Sequence, residues 1–99
     1  MQARIATYRG ATPHDLDAFL PQLAERVERD LDTPGLEGLR EILVLVDREH
    51  GRALSLTFFD NEDDLNRAEQ ALGRVAMTQA GAVRTEVDRY EVVLHQSRS

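Results

Sequence analysis

The chain has 99 residues, 41% of them hydrophobic and 30% charged, and its net charge is −6. This length fits one domain with a single core. The acidic balance argues against nucleic acid and anionic membranes as partners, because both would repel it. No apolar run approaches the ~18 residues of a membrane span, and no signal-peptide core follows Met1. We therefore expect one cytoplasmic domain over residues 1–99.

Two residue types are missing from the sequence, and each absence excludes a chemistry. The chain has no Cys, which excludes a thiolate nucleophile, a disulfide and an iron–sulfur cluster. All 12 basic residues are Arg, so a Schiff-base lysine and a P-loop lysine are excluded as well. His14, His50 and His95 lack the spacing of metal ligands. We expect neither a metal nor a cofactor.

Apolar periodicity predicts elements in the order β-α-β-β-α-β. The strands are expected at residues 3–9, 38–46, 53–59 and 82–95. The first helix follows the N-cap Thr12 and continues, with a kink at Pro21, to Leu31. The second begins at the acidic cluster of residues 60–64 and fades near Gln79. We interpret the cluster as a helix start and not as a cation site, because carboxylates stabilise a helix N-terminus.

This element order predicts a ferredoxin-like α+β fold with a four-stranded antiparallel sheet in the order 4-1-3-2. Both helices must then cover the same face of the sheet. The second and third strands, however, are apolar on both faces, as the run from Leu43 to Val46 illustrates. A monomer would expose the second apolar face. We therefore expect a homodimer in which a second copy covers this helix-free face.

Five segments resemble the dimeric α/β-barrel superfamily, and in particular its antibiotic-biosynthesis-monooxygenase-like branch. In chain order they are ARIATY, LVDR, GRAL, TFFDNEDDL and VDRYEVV. The resemblance implies a homodimer whose two sheets form a barrel, with a pocket between sheet and helices in each subunit. It also implies a range of activities, since members include cofactor-independent oxygenases and haem-degrading enzymes.

The same resemblance singles out four residues for ligand binding. The pocket Trp of the cofactor-independent oxygenases falls on Phe59, and Thr7 lies near an Asn of the haem-degrading enzymes. By this resemblance Thr7, Thr57 and Phe59 face the helices and line a pocket, and Met77 is a further candidate. The haem-ligating His of those enzymes has no counterpart between residues 60 and 81, which argues against haem degradation. Packing in the core is the alternative role for each residue.

Three arginines, Arg40, Arg84 and Arg89, lie on predicted strands. An Arg that reaches the pocket would bind an anionic or enolic ligand through its planar guanidinium. The alternative is an ion pair with a neighbouring carboxylate, which is typical of strand edges.

The resemblance, taken together with the residues, implies one hypothesis for function and leaves two alternatives. The hypothesis is a monooxygenase-like domain that oxidises or binds a small apolar or aromatic molecule in the sheet–helix pocket without a cofactor. The alternatives are a non-catalytic ligand-binding dimer and a structural module. No Ser lies in a nucleophile elbow, so the sequence leaves open whether the protein is an enzyme. A cavity of ~300 Å³ or more would distinguish the first two functions from the third.

Overall fold

The chain folds into one antiparallel sheet with helices packed on one side. The computed structural model describes residues 1–72, 78–79 and 82–98. Its elements are, in chain order, β1 (Gln2–Arg9), α1 (Pro13–Leu31), β2 (Leu39–Asp47), β3 (Arg52–Phe59), α2 (Glu62–Leu72), β4 (Thr78–Gln79) and β5 (Ala82–Glu91). The strands are ordered β2-β3-β1-β5-β4 across the sheet. None of the described helices is both long and apolar enough to cross a membrane.

The predicted ferredoxin-like fold is confirmed. The four long strands lie in the predicted order 4-1-3-2, which places β1 and β3 in the centre of the sheet. α1 runs unbroken through Pro21, so the continuous apolar stripe of the helix outweighs the amide hydrogen bond that proline removes.

Two predicted boundaries near the C-terminus are wrong. β4 occupies Thr78–Gln79, where the sequence predicts the end of a helix, because this segment pairs with the start of β5. The last strand is predicted to reach His95 but ends at Glu91. One further bond joins the Val92 amide to the Met1 carbonyl oxygen at 2.8 Å.

The register assigns each side chain to one of the two sheet faces, because residues paired across an antiparallel ladder point the same way. Arg4 of β1 pairs with Thr57 of β3, and its guanidinium bonds to Glu69 of α2 at 2.8 Å. Even-numbered residues of β1 and odd-numbered residues of β3 therefore form the helix face. The opposite, helix-free face carries Ala3, Ile5, Thr7, Leu43, Leu45, Leu54, Leu56 and Phe58.

The buried core lies between α2 and the helix face. Phe59 and Leu65 are the largest fully buried side chains, and both pack with Ala68. The acidic cluster forms the first turn of α2, where the Asn61 side chain accepts a hydrogen bond from Asp64 N at 2.8 Å. The cluster thus begins a helix, as its sequence predicts.

The N-terminal end of α1 is fixed to the turn between β2 and β3. Thr12 and Asp15 form a capping box, in which each side chain accepts a hydrogen bond from the other backbone amide at 3.1 Å. The Thr12 amide also holds the pKa of the Asp15 carboxyl below its usual value. Arg48 of the turn forms an ion pair with Asp17 of α1. These contacts position the start of α1 over the sheet.

Gly51 lets the same turn approach the start of α1. Its φ is +63°, and a Cβ placed there would overlap the Ala11 carbonyl oxygen. We expect Gly51→Ala to lower the free energy of unfolding by ~1–3 kcal/mol because of backbone strain alone. The overlap with the Ala11 carbonyl oxygen should add to this loss. Urea denaturation followed by circular dichroism measures the effect. Gly10→Ala is the control, because Gly10 has a φ of +94° but open space around its Cβ position. Equal losses in the two variants would contradict the close approach.

Candidate functional site

A cleft lies between α1 and the helix face of the sheet, and we call it the α1 cleft. From α1 it is lined by Leu16, Phe19, Leu23, Arg26, Val27 and Asp30. From the sheet and its flanks it is lined by Arg4, Tyr8, Leu36, Leu39, Ile42, Val44, Ala53, Ser55, Thr57, Leu72, Ala82 and Arg84. The cavity volume is about 110 Å³. This volume lies below the ~300 Å³ typical of sites for drug-sized ligands, so the α1 cleft does not reach the size expected to distinguish a binding function from a structural module.

The apolar side chains of α1 line this cleft without filling it. Leu16 is the only buried residue of α1, and it packs on Ala11 and Ala82 near the helix N-terminus. From Phe19 to Val27 the apolar stripe is only half-buried, although it faces the sheet. The cleft is therefore closed at the N-terminal end of α1 and open toward the C-terminal end.

The sheet wall of the cleft adds a small number of polar groups. Tyr8 of β1 and Ser55 and Thr57 of β3 bring hydroxyl groups to it. Thr57 Oγ1 donates a long hydrogen bond to the Arg4 carbonyl oxygen at 3.5 Å. Among the described residues that line the cleft there is no His. The arrangement can hold an apolar body and offer hydrogen-bond donors to its polar end.

Arg4 is a site residue that the sequence analysis missed. It is 4% exposed, and its Nε donates to Glu69 Oε1 of α2 at 2.8 Å. The pair joins α2 to the sheet wall of the cleft and compensates a charge that would otherwise be buried alone. The signal in the sequence is strand alternation, which places Arg4 on one face with Ala6 and Tyr8.

Of the four residues predicted to bind a ligand, the structure describes three, and it separates them. Thr57 lines the α1 cleft. Phe59 lies on the helix face, as expected, but it is 0% exposed in the core under α2 and does not line the cleft. Thr7 lies on the other face of the sheet. Met77 lies outside the described residues. The predicted set therefore does not form one site.

The expectation that Thr7 faces the helices is wrong. Thr7 pairs with Leu54, and Leu54 pairs with Leu45, so all three side chains share the helix-free face. Together they line an open depression of about 350 Å³, which the ion pair between Asp47 and Arg52 borders. The resemblance points to the right strand, but it does not determine which way Thr7 points from the pleat.

Of the three arginines considered as ligand-binding residues, two lie at the surface and one does not. Arg40 pairs with Asp60 of the loop before α2, and Arg89 donates to Asn66 Oδ1 at 2.7 Å. Arg84 alone of the three predicted arginines lines the α1 cleft. Arg40 thus forms an ion pair, as the alternative predicts, with Asp60 as its partner. Arg89 is exposed but bonds to an amide and not to a carboxylate, and Arg84 stays in the site.

The histidines are exposed, and none lines the α1 cleft. His50 Nδ1 lies 2.8 Å from Asp47 Oδ2, in the turn between β2 and β3. The Arg52 side chain and then His50 lower the pKa of Asp47 to about 2. Among the residues that the structure describes, no group of three or more His, Cys, Asp and Glu could hold a metal ion.

Comparison with solved structures finds the same ferredoxin-like fold over nearly the whole of this chain. A dimeric ferredoxin-like protein from an uncultured marine organism superposes with a TM-score of 0.68 at 19% identity, over 99% of this chain and 100% of that chain. A Deinococcus radiodurans protein, provisionally described as an antibiotic biosynthesis monooxygenase, gives 0.63 at 16% identity, over 100% and 99%.

A haem-degrading protein has the same fold. MhuD from Mycobacterium tuberculosis, solved with two haems in its active site, gives a TM-score of 0.61 at 14% identity, over 98% of this chain and 100% of that chain. No protein-family model and no curated protein matches the sequence. At these identities the likeness establishes a monooxygenase-like fold, and the function has to be argued from this chain's own residues.

Proposed function

We propose that this protein binds a small apolar or aromatic molecule in the α1 cleft. The observation that carries the proposal is the half-buried apolar stripe of α1, which faces the sheet across unfilled space. Apolar surface left in contact with water is unfavourable, and a ligand between α1 and the sheet would remove it from water. A purely structural module would gain by packing these side chains together.

The size of the cleft favours a ligand with a single ring. The cavity volume is about 110 Å³, which is less than the ~150 Å³ of an apolar cavity that holds benzene, so a single ring would also occupy part of the open end of the cleft. The opening toward the C-terminal end of α1 leaves room for a substituent to extend beyond the ring. Phe19 and Val44, on opposite walls, supply apolar surface for the ring.

Cofactor-free oxidation is the catalytic form of this proposal. Its support is the fold shared with a provisionally described monooxygenase, together with the hydroxyl and guanidinium donors of Tyr8, Ser55 and Arg84 beside the cavity. Such donors would stabilise a phenolate, which is the form of a quinol that oxygen oxidises most readily. The test is oxidation of a quinol by oxygen to quinone and hydrogen peroxide, compared with the uncatalysed rate.

Haem does not fit the α1 cleft. The described lining residues include no His or Met, and the cavity is smaller than sites for drug-sized ligands, which are ~300 Å³ and larger. Among the lining residues that the structure describes, Tyr8 alone is of a type that ligates haem iron. The haems in MhuD are therefore not carried over to this chain.

We also propose that the protein is a homodimer in which a second copy covers the helix-free face. Leu43 and Leu45 are 44% and 49% exposed on that face, and Leu54, Leu56 and Phe58 are only half-buried beside them. A C2 contact between two such faces is self-complementary and covers both at once. The dimeric ferredoxin-like protein with the same fold supports this assembly.

Binding in the cleft is tested with benzamide, a neutral single-ring probe. We expect benzamide to shift the NMR signals of cleft methyl groups such as those of Leu23 and Val44. Val27→Glu should weaken its binding at least about tenfold, because a buried carboxylate loses hydration. Leu31→Glu, one turn further on, is the control, because Leu31 is exposed and does not line the cleft. Shifts confined to the helix-free face, or equal effects of both substitutions, would contradict the proposal.

A further inference from the structure

Arg84 is placed to recognise one chemical group of a bound molecule. It lies on β5 directly across from Tyr8, is half-buried, and lines the α1 cleft. A guanidinium is seldom held against an apolar cavity without a partner for its charge, because removing the charge from water is unfavourable. The contacts of Arg84 therefore indicate what the cavity accepts.

The charge of Arg84 has no carboxylate partner in the described part of the chain. Within the described ranges it makes one side-chain hydrogen bond, from Nη1 to the Leu72 carbonyl oxygen at 3.5 Å. The residues outside the described ranges include no Asp or Glu. Arg4, which lines the same cleft, is by contrast paired with Glu69 at 2.8 Å. Of the five N–H donors of Arg84, one is thus used by the part of the chain that the structure describes.

We propose that Arg84 binds the carboxylate of an aromatic acid whose ring occupies the α1 cleft. This inference rests on the proposed function and specifies its ligand class. A carboxylate matches the planar fork of the guanidinium and would form two parallel charge-assisted hydrogen bonds. The Tyr8 hydroxyl, across the ladder from Arg84, is a further donor to the same group. The apolar walls from Phe19 to Val27 hold the ring.

A structural role for Arg84 makes a different prediction. Leu72 is the last residue of α2, and the last turn of that helix contains no basic residue. Arg84 would then serve only to compensate the carbonyl groups at the helix C-terminus. In that case its replacement would lower stability and would weaken charged and neutral ligands alike.

The experiment compares benzoate with benzamide, which has the same ring and a planar neutral head group. Dissociation constants are measured by NMR titration for the wild type, Arg84→Gln and Arg89→Gln. Arg89 is the matched control, because it lies on the same strand and bonds to Asn66 outside the cleft. We expect the wild type to bind benzoate about tenfold more tightly than benzamide. Arg84→Gln should abolish this preference, and Arg89→Gln should retain it.

Each outcome decides one of the two proposals. If both probes bind equally to the wild type, or if Arg84→Gln keeps the preference for benzoate, the proposal that Arg84 binds a carboxylate is wrong. The proposal that the α1 cleft binds an apolar ring is not affected by that result. If neither probe binds the wild type, the proposed function itself fails. Should Arg84→Gln not fold, Arg84→Lys replaces it: it keeps the positive charge, and loss of the fork should still reduce the preference several-fold.

Discussion

We expect Phe59→Ala to lower the free energy of unfolding by about 3–5 kcal/mol, because it removes a fully buried ring and leaves a cavity. Phe59 is 0% exposed and packs with Leu65 and Ala68 of α2. α2 also carries Glu69, so loosening this contact weakens the support of the buried Arg4. Urea denaturation followed by circular dichroism measures the loss. A loss under ~1 kcal/mol would contradict the core role of Phe59.

Phe59→Leu and Phe19→Ala separate packing from binding. Phe59→Leu keeps most of the volume and should cost less than about 1.5 kcal/mol. Because Phe59 does not line the α1 cleft, we expect the benzamide affinity of Phe59→Leu to match the wild type. Phe19→Ala should show the opposite pattern, with a small loss of stability and a clear loss of affinity. If Phe59→Leu folds but no longer binds benzamide, Phe59 contacts the ligand after all.

The double variant Leu43→Glu/Leu45→Glu is expected to raise the dimer dissociation constant at least about a hundredfold, because an interface cannot bury unpaired carboxylates cheaply. Both side chains point to the helix-free face, and each is more than two-fifths exposed in the single chain. Sedimentation equilibrium at micromolar concentration should give the dimer mass for the wild type and half of it for the variant. Circular dichroism of the variant should retain the native spectrum.

Leu31→Glu is the matched control for this experiment. Leu31 is a leucine of similar exposure, but it lies at the end of α1, away from the helix-free face. The control should therefore remain dimeric. If the wild type sediments as a monomer, or if Leu31→Glu dissociates as readily as the double variant, the proposed interface is wrong.

The order of the elements and the fold could be predicted from local signals in the sequence. Thr12 and Asp15 mark the start of α1 because their side chains bond to the free amides of its first turn. Alternating apolar residues identify the long strands because side chains alternate across a pleated backbone. Few topologies join β-α-β-β-α-β with short connections, so the strand order follows from the order of the elements.

The face of each β1 residue could not be predicted in the same way. Arg4, Ala6 and Tyr8 alternate with Ala3, Ile5 and Thr7, and neither set is clearly apolar. Arg4 resembles a solvent-facing residue until Glu69, 65 positions away, is brought beside it. The pairing of β1 with β3 determines the face, and that pairing depends on residues distant in sequence. Thr7 was assigned to the wrong face and Arg4 was overlooked for this one reason.

The sequence by itself determined the four long strands, the two helices, their order and the apolar stripe of α1, because each depends on spacing within one segment. Only the tertiary structure decided that this stripe faces a cleft while α2 closes over Phe59. Both helices are amphipathic, and their periodicity does not distinguish a helix packed on the sheet from one that stands away from it. The distance between α1 and the sheet depends on the side chains of both elements and on the contacts that fix α1 at its N-terminal end. For the same reason, Arg84 became a site residue only when β5, β1 and α1 were placed together.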